Sequence, residues 1–356
     1  MYQIIRNMMK RRKKGALLIR WIWVAVLPFL VLGALLYWYI FGKNVSIPPG
    51  EGRSFYVYTT DTYQDVLHRL DSLGFLKNPE VFDRLAERKN LPAHIYPGHY
   101  LLANGMSHNA LINMLRSGTQ VPVMVTFINY RTLEELAGKI ARQLEPDSTA
   151  LAQYILQEGI PEEYGFTRET FPSMFIPNTY EFFWNASPES FVGRMKQEYE
   201  RFWNDERKRK AATLGLEPVE VATLASIIDE ETRFDIEKPT IAGVYINRLE
   251  RGIPLQADPT IKFALGNFSK NRILTRDLQV NSPYNTYKNR GLPPGPIRIP
   301  SIAAIEAVLD HEEHDYLYFC ARDDFSGLHH FSRTLEEHNR YAASYRRALN
   351  RHRIYR

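Results

Sequence analysis

The chain has 356 residues, a formal net charge of +5 at neutral pH and one cysteine, Cys320. That length supports one large or two ordinary domains with real cores, and a lone cysteine excludes both an intramolecular disulfide and a thiolate zinc cluster. Much of the positive charge lies at the N-terminus, on Arg6, Lys10, Arg11, Arg12, Lys13, Lys14 and Arg20.

Such a basic run suggests a nucleic-acid patch, but the adjoining segment points to a membrane instead. Residues 21–42, WIWVAVLPFLVLGALLYWYIFG, contain no charged side chain and are long enough, as a helix, to span the roughly 30 Å hydrocarbon layer. Trp21, Trp23, Tyr37, Trp38 and Tyr39 stand near its two ends, where aromatic rings favour the headgroup zone. Pro28 and Gly33 are tolerated inside such a span. The preceding cations place residues 1–20 in the cytoplasm and the chain beyond residue 43 outside, and anionic lipid explains them without nucleic acid. A cleaved signal peptide fits less well, because the apolar run is long and no small-x-small site comes cleanly after it.

Residues 43–54 read as a linker with Pro48, Pro49, Gly50 and Gly52. RSFYVYT alternates like a strand. Thr62 is placed to cap the helix YQDVLHRLDSLG, with Val66, Leu67 and Leu70 on its apolar face and Gly74 as its stop. A second helix, NPEVFDRLAERKN, turns Val81, Phe82 and Leu85 inward. IYPGHYLL reads as a strand, SHNALINMLRSG as a helix ending at Gly118, and VPVMVTFI as another strand. Residues 48–122 therefore form a small module of strands and helices without a catalytic cluster. Two helices come next within 132–157, and 159–180 reads as an ordered, aromatic-rich loop. The charged stretch 186–212 reads as one amphipathic helix, with Phe191, Met195, Tyr199 and Phe202 on its buried face. The overall class is α+β.

The segment LASIIDEETRFD carries the candidate chemistry. A helix opening at Pro218 places Val221, Leu224, Ala225 and Ile228 on one face, and Glu231 falls on the same stripe while Asp229 and Glu230 point to its flanks. A carboxyl turned into a cleft loses solvation and acquires the raised pKa that a general acid needs near neutrality. The alternative is a helix that ends by residue 230, leaving Glu231 in water; spacing alone leaves both open. Downstream, residues 243–266 combine a helical piece with a Gly/Pro section bearing Gln256, Asp258 and Thr260. The stretch 281–301, with five prolines, presents Tyr284, Asn285, Thr286, Tyr287 and Asn289. Amides, hydroxyls and rings on a stiffened loop suit a sugar, and such loops also simply wrap cores.

Rival chemistries lack their patterns. No H-E-x-x-H, G-x-S-x-G or phosphate-loop motif occurs. His311 with His314, and His329 with His330 and His338, could meet around a metal, but histidines at these spacings are usually surface or hydrogen-bonded residues, so neither metal nor cofactor is expected. The last residues read as a strand, a turn at Ser326-Gly327, a short strand and a terminal helix.

Four separated motifs, LASIIDEETR, VYINRLERGIPLQADPT, SPYNTYKNRGLPPGPIRIPS and HHFSRTLEEHN, resemble those of the endolytic murein transglycosylases, the YceG-like or MltG family, over essentially everything after residue 43. The resemblance implies a cytoplasmic tail (1–20), a single-pass membrane helix (21–42), a linker and LysM-like module (43–122) and a mixed α+β catalytic domain (123–356). It implies a catalytic glutamate before a threonine, which lands on Glu231. Many relatives carry a glutamate two residues earlier, where this chain has Asp229. A PDTY segment of the family appears as Pro177-Asn178-Thr179-Tyr180, with Asn178 in place of an acid.

The reaction implied is cleavage of the β-1,4 bond between N-acetylmuramic acid and N-acetylglucosamine in nascent peptidoglycan, leaving 1,6-anhydromuramoyl ends and limiting strand length. Asn247, Gln256, Asp258, Tyr284, Asn285, Thr286 and Tyr287 are the candidate substrate contacts. The competing expectations are a muramidase-type hydrolase and a non-enzymatic peptidoglycan-binding scaffold. The expected partners are glycan strands, the cytoplasmic membrane and, from the resemblance alone, peptidoglycan synthases.

Overall fold

The computed structural model describes residues 21, 23–35, 37–48, 53–270 and 272–352. The basic tail expected over residues 1–20, and Pro49, Gly50 and Gly52 of the expected linker, lie outside them. Helix α1, Trp23–Phe41, has the length and apolar composition to cross a bilayer, 19 residues at mean hydropathy 2.2. Phe29, Leu30, Leu32 and Leu35 on it are exposed.

The chain divides into two compact units, one reaching to Val123 and taking in Phe183–Asn185, the other comprising Met124–Phe182 and Ala186–Arg356. In the first, β1 (Ser54–Val57) precedes α2 (Tyr63–Ser72) and α3 (Pro79–Arg88), and β2 (Gly98–Leu101) precedes α4 (His108–Ser117). Strands β1 and β2 pair antiparallel with Ser54 opposite Leu101 and Val57 opposite Gly98. Thr62 and Asp65 form the reciprocal capping box that starts α2. Ser107 caps α4, and Gly118 ends it at φ 65°, a conformation that glycine adopts without penalty. Helix α3 buries Phe82 and Ala86, with Val81 and Leu85 only half-buried. Phe55, Leu70, Phe82, Tyr100 and Leu111 meet in the core. Ring packing brings Phe183–Asn185 into this unit: Trp184 lies 4.7 Å from Tyr56 and 5.0 Å from Tyr58, and Asn185 donates to the Pro97 carbonyl.

The second unit opens with β3 (Val123–Thr126), α5 (Leu133–Ile140), α6 (Ser148–Leu156) and α7 (Ile160–Glu163); β3 pairs with β4 (Thr179–Phe182). The stretch read as an aromatic loop holds α7 and a 3₁₀ turn at Phe171–Met174. Its rings are core: Phe171 and Phe175 are fully buried, their centroids 5.3 Å apart. Residues 186–212 form two helices rather than one, α8 (Pro188–Phe202) and α9 (Asp205–Thr213). Periodicity misses the break because it is made by a cap. The Asn204 side chain accepts from the Arg207 N–H to start α9, while Trp203 leaves helical geometry at ψ 64° and is buried.

Two adjoining helices form the centre, α10 (Pro218–Glu231) and α11 (Lys238–Glu250), followed by α12 (Asp258–Ala264) and α13 (Ile302–Leu309). Leu224, Ala225 and Ile228 of α10 share a core with Ile241 and Tyr245 of α11 and Ile305 and Val308 of α13. Helix α10 runs through Glu231, and Thr232 is its extended C-cap. Strands β5 (Tyr318–Ala321) and β6 (His329–Ser332) form an antiparallel hairpin, and α14 (Leu335–Arg351) packs on both.

Gly243 is where α11 admits the segment before β5. A Cβ there would lie 2.4 Å from the Glu312 carbonyl oxygen and 2.7 Å from His314 Nε2. Gly243→Ala gains roughly 1 kcal/mol of helix propensity, but overpacking a tight contact costs about 1–3 kcal/mol, and here a backbone atom must move. Net destabilisation is expected, read as a lowered midpoint in urea with unchanged slope.

Candidate active site

The three adjacent acids at the end of α10 have three different fates. The side chain of Asp229 is 2% exposed. One oxygen accepts from Lys238 Nζ at 2.8 Å and from the Ser301 hydroxyl at 2.8 Å; the other accepts the Ser301 N–H at 2.6 Å. Since Ser301 is the N-cap of α13, Asp229 places negative charge at that helix start, where the dipole favours it. Burial disfavours charge on Lys238, yet its hydrogen bonds to Asp229 and Asp235 hold its pKa above the usual lysine value. Glu230 accepts from Arg131 at 2.6 Å and Arg298 at 2.8 Å. Ser226, one turn earlier, accepts the Ile297 N–H at 3.0 Å. Ser226 lies three residues before Asp229 and four before Glu230, and all three tie the proline-rich segment to α10.

Glu231 points elsewhere, into a cleft of about 280 Å³ with Tyr245, Arg248, Gln256, Asp258, Tyr287 and His338 in its lining. The Tyr245 hydroxyl donates to Glu231 Oε1 at 2.6 Å. Burial pushes the Glu231 carboxyl up to about 7, against the opposing pull of that hydrogen bond and with Asp258 adding to the rise. Burial, and then Glu231 itself, drives the Tyr245 phenol well above its ordinary range, so it is a standing donor. Tyr287 donates to Asp258 at 2.5 Å, which orients the second carboxylate. Arg248 is buried and fully engaged: it donates to the Pro254 and Leu317 carbonyls and, at 2.6 Å, to Gln256 Oε1. Gln256 itself adopts φ 55°, an uncommon conformation for a non-glycine residue, held by that bond. A larger groove, about 520 Å³, runs beside Leu216, Val219 and Leu292, but its Glu220 is spent capping α10. Chemistry rather than size selects the Glu231 cleft.

The candidate residues thus separate. Glu231, Gln256, Asp258 and Tyr287 line one cleft. Asn247 donates to the His314 and Tyr316 carbonyls and clamps the segment before β5. Asn285 is buried and bonds the Leu278 and Val280 carbonyls. Thr286 is buried against Thr260 and the Ala257 N–H. Tyr284 packs on Phe263 at 4.6 Å between centroids. Asn178 is exposed, its side chain bonded to the Thr179 N–H. Sequence reasoning does not single out Tyr245, Arg248, Tyr318 and Phe319. Tyr245 and Arg248 are detectable as a tyrosine and an arginine three residues apart on the helix that follows the acidic cluster; the hairpin residues have no such signal. Among the described residues no group of His, Cys, Asp and Glu is arranged to hold a metal ion.

The division predicts opposite stability effects for neighbouring carboxylates. Asp229→Ala leaves the buried Lys238 ammonium with only the exposed Asp235 as an acidic partner and unpairs the start of α13, and should cost up to about 3–5 kcal/mol. Glu231→Gln keeps an acceptor for Tyr245 and removes a group whose folded pKa exceeds its unfolded one. Such a group is neutral in both states below about 4.5, and ionising it costs stability as pH rises toward 7. Thermal unfolding should therefore show Glu231→Gln level with wild type at pH 4.5 and more stable at pH 8, by on the order of 2 kcal/mol.

The sequence profile of the YceG-like family matches residues 55–344. An endolytic murein transglycosylase of Bacillus subtilis is 30% identical over 325 residues, covering 85% of this chain and 84% of that protein. One of the same description from Streptococcus pneumoniae is 29% identical over 79% of this chain, which spans 56% of that longer protein. The crystal structure of a yceG-like protein from Listeria monocytogenes superposes with a TM-score of 0.54 at 27% identity, over 81% of this chain and 97% of that one. This chain belongs to the YceG-like family.

Proposed function

We propose that the protein is a membrane-anchored endolytic lytic transglycosylase that cleaves the N-acetylmuramic acid–β-1,4–N-acetylglucosamine bond of nascent glycan strands. The observation that carries this reading is the half-buried Glu231 carboxyl in the cleft, raised to about 7 and bonded to a phenol that stays protonated. It is supported by resemblance to proteins described as endolytic murein transglycosylases.

Glu231 in its acid form donates its proton to the glycosidic oxygen as the C1–O bond breaks, freeing the N-acetylglucosamine hydroxyl. The C6 hydroxyl of the muramic acid then forms a bond to C1, and its proton returns to the Glu231 carboxylate. No water enters, and one carboxyl suffices, unlike two-carboxylate hydrolysis. Intramolecular attack has a high effective concentration, so the cleft need mainly hold the ring and exclude water. Tyr245 holds the Glu231 carboxyl in place, and Gln256, Asp258 and Tyr287 are the proposed substrate contacts. Asn247, Tyr284, Asn285 and Thr286 are proposed to act indirectly, by fixing the loops that present those groups.

The two antiparallel strands flanking α2 and α3 support a LysM-like, glycan-holding role for residues 43–122. Helix α1 supports anchorage to the cytoplasmic membrane with the catalytic domain outside it, which confines cutting to newly made strands; synthases are the proposed neighbours. Asp258, a second carboxylate in the same cleft, favours one alternative, a hydrolase that delivers water to the same bond.

Uncrosslinked glycan strands treated with the full chain in detergent should yield internal fragments with anhydro ends. Ends heavier by one water would establish the hydrolase, and intact binding without cleavage would establish a scaffold. Loss of a general acid costs on the order of 10²–10⁴-fold, so Glu231→Gln should lose activity by about that factor. Because the acid form is required, kcat/KM should fall as pH rises through about 7.

A further inference from the structure

Three polar side chains of the cleft wall hydrogen-bond within the protein. The Tyr245 hydroxyl is committed to Glu231, the Tyr287 hydroxyl to Asp258, and the Arg248 guanidinium to two carbonyls and Gln256. His338 is not so committed. It lines the same cleft from α14, and its side chain has no hydrogen bond among the described residues. Its Nδ1 is completely buried without a partner, at a cost of about 1–3 kcal/mol of desolvation, and Nε2, which bonds nothing among the described residues either, is the nitrogen left to meet a ligand in the cleft.

The ring is held in place. The Tyr318 ring packs against it at 5.5 Å between centroids, and Tyr318 in turn lies beneath the Arg248 guanidinium at 5.5 Å. Arg248 comes from α11, Tyr318 from β5 and His338 from α14, so three elements converge to orient one imidazole. Burial, then Arg248 and Arg346, push its pKa below the ordinary histidine value, which keeps one nitrogen a donor and the other an acceptor. An uncharged sugar supplies hydroxyls and an acetamido N–H and C=O, the complements of such a ring. An anion would instead prefer a protonated histidine.

We propose that His338 is a positioning residue for the glycan, hydrogen-bonding a hydroxyl or acetamido group of the sugar seated against Glu231. The proposal rests on the glycan-cleaving reading of the cleft. It adds a contact from the C-terminal helix, so α14 closes the site as well as the fold.

The test measures glycan-strand binding directly, in full-length protein carrying Glu231→Gln to prevent turnover, with and without a change at His338. His338→Ala should weaken binding about tenfold, the scale of a hydrogen bond to a site left unpaired, and His338→Gln should restore most of the loss. In the otherwise wild-type enzyme, His338→Ala should raise KM more than it lowers kcat. Thermal unfolding identifies a variant that is merely misfolded, and His338→Gln then carries the comparison. Unchanged affinity and KM in a folded His338→Ala protein would overturn the proposal. Equal loss in the Ala and Gln variants would overturn it too, by making the residue a packing element. Failure of the underlying reading is distinct: the wild-type chain would leave the glycan strands uncut.

Discussion

The Asp229 carboxylate is the junction on which the second unit's architecture depends. It is removed from water, and removing charge from water is costly unless every lone pair is used. Lys238 at the start of α11 and Ser301 at the start of α13 use them. One side chain at the end of α10 thereby fixes where two other helices begin. With α11 in place, Tyr245 reaches Glu231 two residues along from Asp229; with α13 in place, the proline-rich segment must return to α10, where Ser226 and Glu230 receive it.

Adjacency in sequence therefore does not mean likeness in role. Successive residues on a helix are rotated by about 100°, so three consecutive carboxyls face a helix junction, an arginine pair and a cleft. Glu237 adds a fourth use, accepting from the His329 N–H and Nδ1 and so tying β6 to the turn after α10. Charged pairs stabilise the frame, and the unpaired acid is left for chemistry.

Much of this is legible from the sequence because it is local. Capping at Thr62, the stop at Gly118 and the helix opening at Pro218 are read from a few neighbouring residues, and the apolar stripe through Leu224 and Ile228 places Glu231 on the inward side. Chemically suggestive side chains are harder to assign. Asn247 and Asn285 have the functional groups of a sugar site, but both spend them on backbone carbonyls that irregular loops leave without sheet or helix partners. Residue type shows what a side chain can bond, while only tertiary contacts show what it does bond. The same reason hides Tyr318 and Phe319, which reach the cleft only once β5 pairs with β6, and it conceals the break at Trp203, where a buried indole outweighs helical continuity.

Glu231 is a carboxyl poised near neutrality, and titration reads that property most directly. Carboxyl-carbon NMR on the glutamate-labelled full chain in detergent, compared with Glu231→Gln, isolates its resonance. A carboxyl that titrates near 7 in wild type and is missing from the variant is the expected result. If the resonance lost in the variant titrates in the ordinary glutamate range instead, Glu231 is ionised at neutral pH and the cleft holds no acid able to start the reaction.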